Sequence, residues 1–329
     1  MAFQDFKLLF ITANLMGEKP TDPQIKALKD AAKLDKHDIV VVAEQETAEG
    51  AGGWIAQRLA TMTPGWRFAD PKGSAKNCRT DIGKSRKTEK SWFTGRQITI
   101  GTAWGPKVDT LDLHFSRETV KGKRKAVVVW TGKGAVLVYM DIGAARLAFA
   151  GCHLNDKSDG DRNAESNAIL KSIEQNDPNL IFIGGDLNFR PTYTGKPLDG
   201  SELLKQISNN PKTFHDECND FKRSALVGNG FKFPAPDFFP TYKRRVEKGK
   251  ISPISAKPSL KELEQFYDIS ELNKRKGEYG IGWLDRIGYR EDNLAKVSDV
   301  NFDWLPNCLG GDHCPVFLSA KISVDIDKS

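Results

Sequence analysis

Four short apolar runs in this chain stop on polar side chains. Residues 7–13 lead into Asn14, 38–43 into Gln45 and Glu46, 145–151 into His153, and 180–184 into Asp186 and Asn188. A fifth polar pair, Asp312–His313, precedes the run 315–322. The runs are β-branched and too short for helices, so they read as buried strands. Polar groups at successive strand ends can meet at one edge of a sheet, where a rigid scaffold displays reactive groups. Taken singly, each is as readily a turn former, a satisfied core histidine or a solvated carboxylate. The joint pattern is what restricts the chain.

Further strand signals cover 97–104, 125–131, 134–141 and 284–290. Asp22–Pro23 opens a helix whose apolar face is Ile25, Leu28, Ala31, Ala32 and Leu34. A second helix is expected over 50–63, led by Trp54, Ile55 and Leu59, and a third over 162–175. Residues 70–96 read as a long polar loop, and 244–262 as another exposed basic excursion. The basic run Lys121–Lys125 reads either as a solvated hairpin tip or as a contact for anionic lipid or substrate. Helices are interspersed without strict alternation. An α+β fold of two packed mixed sheets with helices outside is therefore expected rather than a doubly wound parallel sheet. No composition break forces a boundary, so 1–329 is read as one catalytic domain.

The 39% hydrophobic and 28% charged residues describe a globular chain. No apolar run approaches the roughly 18–20 residues that span a bilayer. The first residues read as a core strand rather than a signal peptide. Five scattered cysteines without metal-site spacing point to a reducing compartment. A net charge of +6 fits an anionic partner and equally an ordinary basic protein.

Chemically, the polar set suits phosphate-ester hydrolysis with one hard cation. Mg²⁺ takes oxygen ligands, one or two of them carboxylates, and retains waters. Glu46 is the natural first ligand, with Asn14 nearby. Asp186 can orient and deprotonate water, held by Asn188. His153 and His313 can donate to phosphoryl oxygens. Asp285 is a candidate to fix the tautomer of a histidine.

In order and rough spacing, Asn14, Gln45–Glu46, His153, Gly185-Asp186-Leu187-Asn188 and Asp312–His313 resemble the endonuclease/exonuclease/phosphatase superfamily. Three segments are similar to its inositol polyphosphate 5-phosphatase branch. They are Gly185-Asp186-Leu187-Asn188-Phe189-Arg190, Phe239-Pro240-Thr241-Tyr242-Lys243 and Trp283-Leu284-Asp285-Arg286-Ile287. Gly132-Lys133-Gly134-Ala135-Val136 and His153-Leu154 followed by Arg162-Asn163 are weaker echoes. The resemblance implies a deoxyribonuclease-I-like four-layer α/β/β/α sandwich. It also implies Mg²⁺ on Asn14 and Glu46, with Asp186, Asn188, His153, Asp285, Asp312 and His313 as the catalytic set. Lys133, Arg190, Tyr242, Lys243 and Arg286 would bind substrate, a phosphoinositide or an inositol polyphosphate with vicinal 4- and 5-phosphates.

The chain departs from the branch in three places. Ala13 stands where the branch has tryptophan, and Cys314 follows His313 in place of arginine. Glu278-Tyr-Gly-Ile-Gly282 replaces a segment that normally carries lysine and arginine, leaving Lys274, Arg275 and Lys276 further upstream. A monomeric cytoplasmic enzyme, peripheral at anionic membranes and with no nucleic-acid partner, is expected. A Mg²⁺-dependent endonuclease and a catalytically weak phosphoinositide-binding adaptor are the alternatives.

Overall fold

The structure, a computed structural model, describes residues 3–47, 54–68, 97–111, 113–121, 133–218, 220–246, 253–255, 257–272, 277–309 and 311–327. Its strands are β1 (Phe3–Asn14), β2 (Ile39–Thr47), β3 (Arg67–Phe68), β4 (Gln97–Trp104), β5 (Leu113–Lys121), β6 (Gly134–Ile142), β7 (Ala145–His153), β8 (Leu180–Asp186), β9 (Asp285–Glu291), β10 (Ala295–Trp304) and β11 (Val316–Asp325). They form a six-stranded sheet in the order β10-β11-β1-β2-β4-β3 and a five-stranded sheet in the order β5-β6-β7-β8-β9. Each sheet is mixed: β1–β2 and β7–β8 run parallel, and the other named pairs run antiparallel.

Three apolar layers explain why the central strands read as unbroken hydrophobic runs. Phe6, Leu8 and Phe10 of β1 pack with Phe149 of β7 and Phe182 of β8 in the layer between the sheets. The alternate residues Leu9, Ile11 and Ala13 face outward, onto Ile25, Leu28, Ile55 and Leu59 of the helices Asp22–Ala31 and Trp54–Thr61. On the far side, Ala148, Ala150, Ile181 and Ile183 meet Ile169, Leu170 and Ile173 of the helix Asp159–Glu174. Strands covered on both faces carry apolar residues at every position. Each fully buried Leu, Ile or Phe side chain among them contributes about 1.5–3 kcal/mol. The expected four-layer sandwich is the observed one.

Several elements differ from the sequence reading. Strands β5 and β10 are edge strands whose polar residues break the apolar pattern, and neither is apparent from hydrophobicity alone. The helix Gly200–Asn209 was also missed, although Asp199 and Glu202 form a capping box at its start. The basic stretch 244–262 was read as exposed, yet its first residue, Arg244, is buried. The expected strand 125–131 and loop 70–96 lie outside the described residues. So does the run Lys121–Lys125 beyond the backbone of Lys121.

Candidate active site

Strand alternation carries the inward apolar series of each central strand onto a polar residue at its end. In β7 the series Leu147, Phe149, Gly151 ends on His153, and in β8 the series Leu180, Phe182, Gly184 ends on Asp186. Strand β9 opens on Asp285, two residues before the inward Ile287. The register places His153 opposite Asp186 and Asp186 opposite Asp285, so the three stand in one row across the sheet. From the other sheet, the series Phe6, Leu8, Phe10, Thr12 ends on Asn14, which is paired with Gln45 of β2. Asn14 Nδ2 donates across the sheet interface to Asp186 Oδ2 at 3.2 Å.

Glu46 breaks this alternation. Gln45 holds the inward position and accepts from Thr12 Oγ1, so simple alternation would turn Glu46 outward. A register shift between Glu44 and Thr47, with Glu46 at φ 52°, turns it to the inner side instead. There Glu46 Oε1 lies 3.8 Å from His153 Nε2. Asn188 likewise holds a left-handed φ of 58°, with its backbone N–H donating to Asp186 Oδ1 at 3.2 Å and its amide to Leu154 O at 3.0 Å. Each such conformation costs about 1–3 kcal/mol and persists because the surroundings over-determine it.

Asp186 is buried between two histidines, with His153 Nε2 at 3.3 Å and His313 Nε2 at 3.7 Å from its Oδ2. Burial alone would raise its carboxyl. His313, His153 and Lys133 outweigh burial and hold it well below the usual carboxylate range. His313 is fixed from behind: its Nδ1 donates to Asp285 Oδ2 at 2.8 Å, and the same oxygen accepts from Thr241 Oγ1 at 2.7 Å. Burial works against a charged His313 ring, but Asp285 and Asp186 push it up to about 9. Both carboxylates thus favour a protonated ring, whose Nε2 is directed toward Asp186.

The cavity at this edge has a volume of about 210 Å³, and its wall is cationic and aromatic. Tyr242 lies on His313 with ring centroids 4.5 Å apart, and the Arg190 guanidinium sits 4.7 Å above the Tyr242 ring. Arg190 also donates to Gly280 O at 2.8 Å. Lys133 contacts His153 Nε2, and burial lowers its ammonium despite Asp186 nearby. Glu46, Asp156 and Asp312 join Asp186 in the lining.

Of the residues expected to bind substrate, Lys133, Arg190 and Tyr242 line this cavity; Lys243 and Arg286 do not. Arg286 is one residue beyond Asp285 on β9 and so faces the opposite side of the sheet. There it donates to Trp283 O at 2.7 Å and to His215 Nε2 at 2.7 Å, and covers Phe221. His215, which no sequence motif marks, is this arginine's acceptor. The sequence reading also missed Asp156 in the lining and Thr241 behind Asp285. Thr241 lay inside the quoted Phe-Pro-Thr-Tyr-Lys segment, whereas Asp156 carried no motif signal. Lys274, Arg275 and Lys276 lie outside the described residues.

A hard cation fits the donor set. The lining carboxylates Glu46, Asp156, Asp186 and Asp312 and the Asn14 side chain offer oxygen donors beside the cationic groups. Among the described residues no three His, Cys, Asp or Glu side chains close into a protein cage. Oxygen donors of this kind suit a hard cation.

Gly185 sets how closely β8 approaches β7. Its φ is 151°, and a Cβ there would fall 1.9 Å from Cys152 O. Gly185→Ala is expected to destabilise the fold by about 3 kcal/mol or more, read as a drop in the denaturant midpoint. An unchanged midpoint would contradict this packing.

Two mixed sheets packed face to face, with helices outside and the polar set at their shared edge, define a deoxyribonuclease-I-like protein. The sequence pattern of endonuclease/exonuclease/phosphatase family 2 matches residues 117–319, more than half of the chain, and the chain belongs to that family. Among solved structures it is similar to the inositol polyphosphate 5-phosphatase domain of SPsynaptojanin in complex with inositol (1,4)-bisphosphate and calcium. That likeness has a TM-score of 0.65 and 17% identity, over 98% of this chain and 86% of that one. It is also similar to a Cimex nitrophorin ferrous NO complex, with a TM-score of 0.64 and 16% identity, over 97% and 99% of the two chains. A more distant likeness is TDP2 from C. elegans, with a TM-score of 0.48 and 12% identity, over 96% and 75%. A search of curated protein sequences returned no significant match. A single fold carries unrelated chemistries, so the side chains at the edge must decide the function. Among the described residues no helix is long and apolar enough to cross a membrane.

Proposed function

We propose that this protein is a Mg²⁺-dependent phosphatase that removes the 5-phosphate from phosphoinositides or soluble inositol polyphosphates. The observation that carries the reading is the placement of Asp186. It accepts from Asn14 and from the Asn188 backbone, with His153 on one side and the Asp285-held His313 on the other. Glu46 and Asn14 would hold the ion, with Asp312 supporting them. When bound, it would supply charge neutralisation at phosphoryl oxygens and a lowered pKa for water.

The chain's own groups do the rest. Asp186 orients the attacking water and takes its proton, and Asn188 fixes the carboxylate. The His313 imidazolium and His153 donate to phosphoryl oxygens as charge develops, each such donor supplying about 3 kcal/mol. Tyr242, Arg190 and Lys133 present donors to further phosphates of the ring, and a guanidinium suits phosphate because its donors are planar and paired. The excess of basic residues favours an anionic membrane surface for a lipid-borne substrate.

The test is phosphate release from a panel of soluble and lipid-borne 4,5-bisphosphorylated inositols, in Mg²⁺ and in excess EDTA, beside a plasmid-nicking assay. Release in Mg²⁺ that EDTA abolishes is expected. No release from any member of the panel would overturn the reading. Nicking that Asp186→Asn abolishes would move the function to nucleic acid.

A further inference from the structure

We infer that Arg244 is a positioning residue that fixes the loop before Asp312–His313 and thereby aims the His313 ring. The inference rests on the reading of His313 as a phosphate-facing donor. Arg244 is 2% exposed, and among the described residues no carboxylate pairs with it. A buried charge without a counter-ion is costly unless its donors are satisfied. Here Nε donates to Gly311 O at 2.9 Å, Nη1 to Pro306 O at 2.8 Å and Nη2 to Leu309 O at 2.6 Å. The Arg244 backbone N–H donates to Asp312 O at 2.8 Å, and the guanidinium lies 6.0 Å from the Phe266 ring centroid.

These bonds all end on one stretch of chain. Residues 305–309 and 311 form no regular helix or strand, and the carbonyls of Pro306, Leu309 and Gly311 take their donors from Arg244. Gly311 O is two residues from His313. The Cys314 N–H bonds to Thr241 O at 2.8 Å, which holds the other side of His313 to the same segment. Thr241 and Arg244 therefore straddle Tyr242, which packs on the His313 ring. Only a planar fork reaches three diverging carbonyls at once; a lysine ammonium in its place could satisfy fewer of them without moving the loop.

The test uses the full chain with ¹⁵N-labelled histidine, comparing Arg244→Lys with wild type by ring ¹⁵N–¹H spectra and by Mg²⁺-dependent phosphate release. The His313 ring signals should shift or broaden in the variant while those of His37 and His215 stay in place. The value of kcat should fall by about 10²-fold, as for a misplaced catalytic group, with KM little changed. Arg244→Gln, which keeps part of the donor set, stands in if the lysine variant does not fold. Unchanged His313 signals in a folded variant would overturn the inference. So would failure of both variants to fold, which would make Arg244 a residue of global stability. If wild type releases no phosphate from any substrate, the functional reading fails, and the ring spectra still decide whether Arg244 aims His313.

Discussion

Asp186→Asn is expected to lower phosphate release by about 10²–10⁴-fold, the contribution of a positioned proton acceptor. The geometry makes the loss severe for an isosteric change. Asp186 Oδ2 accepts from Asn14 Nδ2, and Oδ1 accepts from the Asn188 backbone N–H. An asparagine must turn its own NH₂ toward one of these donors, so one contact becomes donor against donor. The charge that balances His313, His153 and Lys133 disappears at the same time. Steady-state kinetics beside a circular-dichroism spectrum measure this, and wild-type turnover in a folded variant would remove Asp186 from the mechanism.

Asp285→Asn is expected to act on stability as well as rate. The Asp285 side chain is fully buried and its Oδ2 accepts from both His313 Nδ1 and Thr241 Oγ1. Removing one partner of a buried ion pair costs about 3–5 kcal/mol. The second oxygen, Oδ1, is buried and among the described residues has no hydrogen-bond partner. An asparagine that keeps its oxygen on His313 must bury its NH₂ there without an acceptor. Turnover should fall by up to about 10⁴-fold, as when a histidine loses the carboxylate that holds its tautomer and charge. Chemical denaturation and phosphate release read the two effects. A variant as stable as wild type would mean that Asp285 does not carry the pair.

Much of the site was legible because strands alternate. Asn14, His153 and Asp186 each end an inward series whose earlier members are apolar, and Asp285 opens one. A period of two places all four on the layer between the sheets. The same rule places Arg286 on the opposite face from Asp285. The sequence therefore held the evidence against Arg286 as a substrate ligand, and it was the motif resemblance that suggested otherwise. Glu46 runs the other way: alternation points it outward, and only the bulge in β2 and its left-handed backbone turn it to the site. No residue type or spacing announces that bulge.

The sequence by itself determined the central strands, the polar residues that end or open them and the family of the chain. These depend on local periodicity and residue order, which are written along the chain. The tertiary structure decided which polar ends meet: Asn14 with Asp186 across two sheets, Asp285 behind His313, Arg244 under the loop that carries His313. These contacts join residues far apart in the chain. Their distances follow from how the two sheets register and pack, a property of the whole core that no local pattern encodes.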